Sequence, residues 1–582
     1  MSSKSASFVV LPSTRQFMWG FFAACLLYGA VAAQTNEADT IFVNARVYTV
    51  EKRQPWADAF ALSNGRFSAV GSRAEVEKLK GKDTKIIDLG GRFVMPGFND
   101  AHSHPLRSQL FIDVDLELPV DRVLSVEEFS ERVKAFADAN PDREWLIGAA
   151  FTYATFADTP INAALMDTII PDRPIIIEDE TGHVSVANSK ALELAGITKD
   201  TPDPVGGYFG RNEDGTPNGL LYETAMQEVF RFSPNYTLEQ VTAAGAAVFP
   251  RMHALGITGV KLAQGDHIWA EALQTLDRRG ALDAQLSMVI YEVDFYRQYS
   301  NAELIRNHKL YESDNFRIDG VKLFIDGVVF GQTMLVKEAY LGTDNYGLPA
   351  TPPDVLRDKI VKYNGMGLHV MVHSTGDRGG EIVLEGTEMA MAEHGVEAVR
   401  ALRNQIAHSM IVDPADYDRM KYANVVVEFS PAHWYPSPIT NAALDDLGPE
   451  RLQDVWPFGL VQRADINVAI GSDYKDSKAD PLLNTETLVT RRAPGAGEDD
   501  PILGADSAAD LDDVLYAYTM GGAYAMFMED EIGSIRPGKR ANFIVLDRNL
   551  FEIPRNEIHK AIVRETWFEG RKVYEGTKKV SF

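Results

Sequence analysis

The sequence predicts an α/β protein: a (β/α)8 TIM-like barrel, a small β-sandwich formed from both chain ends, and an insert after the first barrel strand. Three observations lead there. Through the middle of the chain, short apolar β-branched runs alternate with helical patterns, as in a parallel sheet built from βα units. Both ends read instead as short strands punctuated by Asn-Gly and Gly-Gly turns. One interval, from Asp100 to Gly256, is far longer than a single helix requires and contains β-like runs of its own.

The chain has 582 residues, 45% of them hydrophobic, and a formal net charge of −26. That composition supplies a large core. The negative balance argues against a nucleic-acid partner, which needs a basic footprint, and is compatible with a small-molecule substrate; a homo-oligomer stays open. At the N-terminus, Lys4 and Arg15 precede an apolar run from Phe17 to Ala33 that ends in small residues. This reads as a signal peptide over residues 1–33, so that the protein is exported, periplasmic or secreted, and begins near Gln34. A retained membrane anchor is the alternative, but the run is short for one and no stable anchor is expected. Cys25, the only cysteine, lies inside this run. The mature chain then has neither disulfides nor thiolate ligands, and any metal must sit on His, carboxylate or modified Lys.

The stretches IFVNARVYTV, AFALSNGRFSAVGS and KIIDLGGRFVMP predict one part of the sandwich over residues 34–93. GSIRPGKRANFIVLD and IVRETWFEGRKVYE have the same character and predict its second part over residues 528–582; two unrelated hairpin flaps are the alternative. Between them, residues 94–527 predict barrel strands at Val94–Asp100, Gly256–Leu262, Gln285–Tyr291, Ile318–Ile325, Leu368–His373, Asn404–His408, Val425–Phe429 and Ile466–Ile470. The insert, about 140–245, falls at the barrel mouth, where loops carry specificity.

The chemistry centres on VMPGFNDAHSH, Val94 to His104. In an extended segment residues two apart share a face, so His102 and His104 can present two imidazoles to one metal. On its own such a pair is often incidental. The rest of the chain adds Lys322 within an apolar run on strand four, His373 and His408 at the ends of strands five and six, and Asp473 directly after strand eight. Barrel active sites sit at those strand ends. A lysine among apolar residues is costly unless paired or neutralised; Asp326 is a possible partner. Lys261, in GVKLAQG on strand two, is its rival. His369 lies deeper and reads as structural.

Together with PDRPIIIEDETGHVSVANSKAL, GVKLFIDG, HSTGD, IGSD, AYTMGGAYAM and GSIRPGKRANFIVLD, these stretches resemble the amidohydrolase superfamily. More narrowly, the chain is similar to amidohydrolase family 3, the group of YtcJ-like proteins and N-substituted formamide deformylases. The resemblance runs from about Thr40 to Glu575 and favours the sandwich over two flaps. It implies a hydrolase cleaving an amide or other non-peptide C–N bond. It implies that His102, His104 and Asp473 hold a buried metal, that His373 and His408 hold a second, and that Lys322, carbamylated, bridges them. The metals would be divalent, two Zn²⁺ or else Fe²⁺, Mn²⁺ or Ni²⁺. Two such ions lower the pKa of a shared water and polarise the carbonyl, while Asp473 takes the proton and returns it to the leaving nitrogen.

His183, Asp377, Tyr153 and Trp434 are candidate substrate contacts, with Phe156 and Glu223 behind them. Thr181 before Gly-His, Ala407 before His408, and Tyr474-Lys475 after Asp473 depart from the group's pattern. They weaken the transfer of any particular substrate. A lactonase or esterase on the same fold, and a binding protein that has lost catalysis, are the competing readings.

Overall fold

A computed structural model of the chain describes residues 37–119, 124–151, 161–179, 182–292, 301–431, 434, 438–473 and 479–580. Its centre is an eight-stranded parallel sheet rolled into a nearly closed barrel. The strands are β1 (Phe98–Ser103), β2 (Ile257–Gly265), β3 (Gln285–Tyr291), β4 (Phe316–Phe324), β5 (His369–Ser374), β6 (Gln405–His408), β7 (Val426–Phe429) and β8 (Asn467–Ile470), hydrogen-bonded in sequence order. At the mouth, the Asp473 N–H donates to the carbonyl of His102 at 2.8 Å. The Ser472 N–H donates to Asp100 Oδ1 at 2.9 Å, and Ser472 Oγ donates to Asp100 Oδ2 at 2.5 Å. These bonds tie the end of β8 to β1.

The barrel strands lie close to the expected ones, with one correction. Val94–Asp100 is two strands in two different sheets. Phe93–Pro96 pairs with Arg46–Tyr48 and with Phe543–Leu546 in the sandwich, and β1 begins only at Phe98. Gly97 is the step between them. A Cβ there would lie 2.2 Å from Thr258 Oγ1, so only glycine lets the chain pass this close to β2. β1 runs on to Ser103 and so carries His102 inside the strand.

The sandwich joins both chain ends. Its four-stranded sheet is ordered Arg66–Gly71, Ala59–Ser63, Thr40–Val43, Lys85–Asp88. The six-stranded one is ordered Arg571–Glu575, Val563–Phe568, Phe543–Leu546, Phe93–Pro96, Arg46–Tyr48, Trp56–Ala57. Alternation sets the inner face: Phe42 points into the core shared with Phe60, Phe67, Phe543 and Trp567, while Ile41 and Val43 pack on the other side with Val76. Phe42 stacks on Phe60 at 4.6 Å and Phe543 on Trp567 at 5.4 Å. Aromatic pairs of this kind add about 0.5–1.5 kcal/mol each beyond the area they bury.

The insert is a six-stranded sheet of its own, running from Leu116–Glu117 to Pro217–Glu223 in the chain. It starts earlier than residue 140. It also ends before 245, because the helix Leu238–Ala254 packs through Val241, Ala244, Val248 and Met252 into the main barrel core. That spacing is the apolar stripe of a barrel helix. Among the described residues, no helix is long and apolar enough to cross a membrane. The signal-peptide stretch lies outside them.

Candidate metal centre

The side chains at the mouth follow from strand periodicity. On β1, Asp100 and His102 share a face, and His104 follows at the start of the helix Pro105–Asp113. On β5, His369, Met371 and His373 climb one face at three heights. His373 is the uppermost, at the level of Phe324 on β4, where parallel pairing puts the two side by side. Lys322 reaches up from β4, and His408 closes β6.

These residues meet. His104 Nε2 is 3.1 Å and His102 Nε2 3.7 Å from Asp473 Oδ1, and His408 Nδ1 is 3.9 Å from Asp473 Oδ2. Lys322 Nζ lies 3.4 Å from His102 Nε2. The imidazole rings form a run: His104 to His102 at 5.5 Å, His102 to His408 at 4.5 Å, His408 to His373 at 4.4 Å. The donor atoms of His102, His104 and Asp473 lie within 4.8 Å of one another, as do those of His102, His408 and Glu428. Nitrogen and oxygen donors gathered at this spacing suit a divalent transition metal. All six residues expected from the sequence to hold metal are therefore brought together.

The surroundings fix their orientation. His102 Nδ1–H donates to Glu428 Oε2 at 2.9 Å, which turns Nε2 toward the cluster. Glu428 also accepts the His408 N–H at 3.0 Å and the Ser430 hydroxyl at 2.8 Å. His373 Nε2–H donates to the Gly327 carbonyl at 3.3 Å, leaving Nδ1 as its lone-pair nitrogen. Carboxylate and carbonyl partners of this sort set the tautomer of a metal-binding histidine. Burial, then the charges of His408, His183 and Lys322, hold His373 well below the usual imidazole range, so it stays neutral. Burial pushes Asp100 and Glu428 up to about 7; a bound cation would oppose that. His408 and Asp473 both have left-handed backbones, φ 73° and 49°. Non-glycine residues rarely adopt them, and such strain gathers at functional sites.

Lys261 is not part of the cluster. It lies on β2 at the depth of His369, where Nζ contacts His369 Nε2 at 3.1 Å, the Ala525 carbonyl at 2.8 Å and Asp319 at 3.6 Å. An apolar layer of Ala263, Val289, Met371 and Ala407 lies between this level and the histidines above. Asp326 does not pair with Lys322 either. It accepts the N–H groups of Leu335, Thr375 and Gly376, each at 3.0 Å, and so folds the loop after β4.

A cavity of about 310 Å³ opens above the cluster. His102, His104, Lys322, His373, His408 and Asp473 form its floor, and His183 and Glu223 reach it from the insert. The wall beside His373 is aromatic: Phe324 stacks on it at 5.2 Å and Tyr291 meets Phe324 edge-on at 5.6 Å. Lys359, paired with Glu292 at 2.6 Å, and Arg107, paired with Glu178, complete the lining.

Two expected substrate contacts are elsewhere. Asp377 does not line the cavity; its carboxylate accepts the Lys337 and Arg378 N–H groups at 2.9 and 3.0 Å, which shapes a loop. Trp434 is buried in the core, stacked on Trp456 at 5.5 Å and covered by the Arg491 guanidinium. Tyr153 and Phe156 lie outside the described residues, as do Thr181, Tyr474 and Lys475. Sequence reasoning gave Glu428 no role. A single carboxylate in the apolar run VVVEFS, costly to bury without partners, was the available signal.

A histidine and aspartate cluster at the C-terminal mouth of a (β/α)8 barrel defines a class of metal-dependent enzymes. The family model described as "Amidohydrolase family" matches residues 85–574, and this chain belongs to that family of hydrolases. It is 26% identical to the N-substituted formamide deformylase of Arthrobacter pascens over 93% of this chain and 99% of that protein. It is also 26% identical to Protein LONG AFTER FAR-RED 3 of Arabidopsis thaliana, over 92% of each. Among solved structures, an uncharacterized metal-dependent hydrolase from Pyrococcus horikoshii superposes with a TM-score of 0.68 at 22% identity, over 89% of this chain and 99% of that one.

Proposed function

We propose that the protein hydrolyses an amide or another non-peptide C–N bond of a small molecule, using two divalent cations held at the barrel mouth. The convergence of His102, His104, Lys322, His373, His408 and Asp473 carries this reading. His102, His104 and Asp473 would hold one cation, and His373 and His408 the other. Lys322, as its carbamate, would hold both: two cations side by side repel one another, and an anion between them offsets that repulsion while an ammonium would add to it. Zn²⁺ suits the donors best, with Fe²⁺, Mn²⁺ and Ni²⁺ as candidates. When bound, the metals supply an activated water and polarise the scissile carbonyl.

The protein's own groups do the rest. Asp473, beside His104 and His102, accepts the proton of the attacking water and delivers it to the leaving nitrogen. Glu428 holds His102 in the tautomer that presents Nε2. The aromatic wall of Phe324 and Tyr291 takes the apolar part of the substrate. The cavity size supports a small-molecule substrate rather than a polymer. The apolar run before Gln34 supports export to the periplasm or beyond.

The test is metal analysis of the purified protein together with a panel of N-substituted formamides, other amides, lactones and esters. Formamides belong in the panel because a relative is named for them. Two bound metals and turnover of C–N substrates that stops on chelation are the expected result. Turnover confined to esters and lactones would refute the C–N assignment, and absence of bound metal would refute the mechanism.

A further inference from the structure

A second, smaller cavity of about 40 Å³ lies beside the main one, against the ends of β2 and β3 and the helix His267–Arg278. Arg107, Gln264 and Tyr291 line both cavities, so the two meet at these residues. Val241, Ile268 and Trp269 give the side cavity apolar walls. Its volume suits a group of roughly three heavy atoms.

Local structure explains the junction. Leu262 pairs with Met288 and Gly265 with Ile290, three steps along β2 against two along β3. The extra residue is a bulge at Ala263 and Gln264, the kind of irregularity that re-aims side chains beside active sites. Tyr291 ends β3 and meets Phe324 edge-on at 5.6 Å, and Phe324 stacks on His373 at 5.2 Å. Two aromatic rings therefore separate the metal centre from the side cavity.

One polar group in that cavity is unsatisfied. Asn301 lines it and is 4% exposed. Its Nδ2 donates to the Tyr291 carbonyl at 2.8 Å, which fixes the orientation of the amide. Its Oδ1 is buried and has no hydrogen-bond partner among the described residues. The residue stands at the start of the helix Ala302–Asn307, where an Asn usually turns its side-chain oxygen onto an N–H of the first turn. Asn301 makes no such bond. A buried acceptor left without a donor is costly, and the cavity that Asn301 lines is where a donor can enter.

We propose that the side cavity is a specificity subsite: it takes a small neutral group of the substrate bearing an O–H or N–H, which donates to Asn301 Oδ1. An ammonium would have to shed its water among apolar walls, and the carboxylate beside them, Asp266, already accepts the Trp269 N–H at 3.0 Å. The apolar part of the same substrate would lie on Tyr291 and Phe324, between this group and the scissile bond. The proposal rests on the C–N hydrolase reading above and narrows its substrate class.

The probes are N-(ω-hydroxyalkyl)formamides with chains of two to six methylenes. Each is paired with the N-alkylformamide in which a methyl replaces the hydroxyl. Dissociation constants come from titration calorimetry on the zinc-loaded protein, and kcat/KM from amine release. At the chain length that reaches Asn301, the wild type should bind the hydroxyl member about tenfold more tightly than its methyl partner. Asn301→Leu, close to isosteric, should erase that preference and keep the zinc content. Ile268→Phe, which fills the cavity from the helix side, should erase it too, and decides the matter if Asn301→Leu fails to fold. Equal affinities within every pair, a preference that survives the folded variants, or tighter binding of ω-aminoalkyl analogues would overturn the proposal. Selective binding without hydrolysis would support the subsite and count against the C–N reading. Hydrolysis without selectivity would overturn the subsite and leave that reading standing.

Discussion

Two buried lysines, Lys322 and Lys261, give opposite predictions. Lys322→Ala removes a side chain next to His102 and under the cavity. If its carbamate holds both cations, the variant loses most of its bound metal while the barrel remains folded. Lys261→Ala leaves the histidines untouched, since the contacts of Lys261 lie one layer deeper, at His369, Ala525 and Asp319. It instead strands Asp319, whose side chain is 5% exposed, inside the barrel without its cation. Breaking a buried pair from one side costs about 3–5 kcal/mol. The expected pattern is a double dissociation. Lys322→Ala has low metal content and near-normal apo stability, and Lys261→Ala has full metal content and a denaturation midpoint lowered by that cost. Metal stoichiometry by mass spectrometry and urea unfolding of metal-free samples read the two axes separately. If Lys322→Ala keeps two metals, or if Lys261→Ala loses them, the assignment of the bridging lysine is wrong.

Three further outcomes are expected. Glu428→Gln should weaken the cation held by His102 about 10–100-fold, because a neutral amide no longer fixes the Nε2 tautomer; chelator competition measures this. Gly97→Ala should destabilise the protein by about 1–3 kcal/mol through its clash with Thr258 Oγ1, and adding Thr258→Ala should recover part of that in thermal melts. Exported protein should start near Gln34, and intact mass analysis that finds Met1 through Ala33 still attached would refute cleavage.

Much of this molecule is written in short-range patterns. Apolar runs separated by helices gave the eight strands, because period-2 and period-3.6 signals are local. The five candidate ligands other than Lys322 stood at or just beyond the expected strand ends, where their position follows from the strand alone. Lys322 was chosen over Lys261 by strand number, and the structure supplies the reason: the two differ in height along the barrel, which parallel register fixes but a single strand cannot reveal. What the sequence hid depends on contacts between distant segments. Pro96-Gly97 looked like a turn within one strand, whereas it joins two sheets, and the deciding neighbour is Thr258. Trp434 and Asp377 looked like pocket residues by their place after barrel strands, but packing turned one into the core and the other toward a loop backbone. Glu428 and Glu223 owe their significance to histidines far away in the chain.

The seam between β8 and β1 also governs when the centre can exist. Asp100 and Ser472, which bond across it, are 372 positions apart, and Asp473 follows the last barrel strand in the chain. During synthesis, His102 and His104 emerge early and must wait for almost the entire barrel before their carboxylate arrives. Phe543–Leu546, from the C-terminal part of the chain, pairs with Phe93–Pro96, directly ahead of β1. A nascent or truncated chain therefore carries ligands but no assembled centre. The cluster is therefore complete only where segments from both ends of the barrel sequence lie side by side.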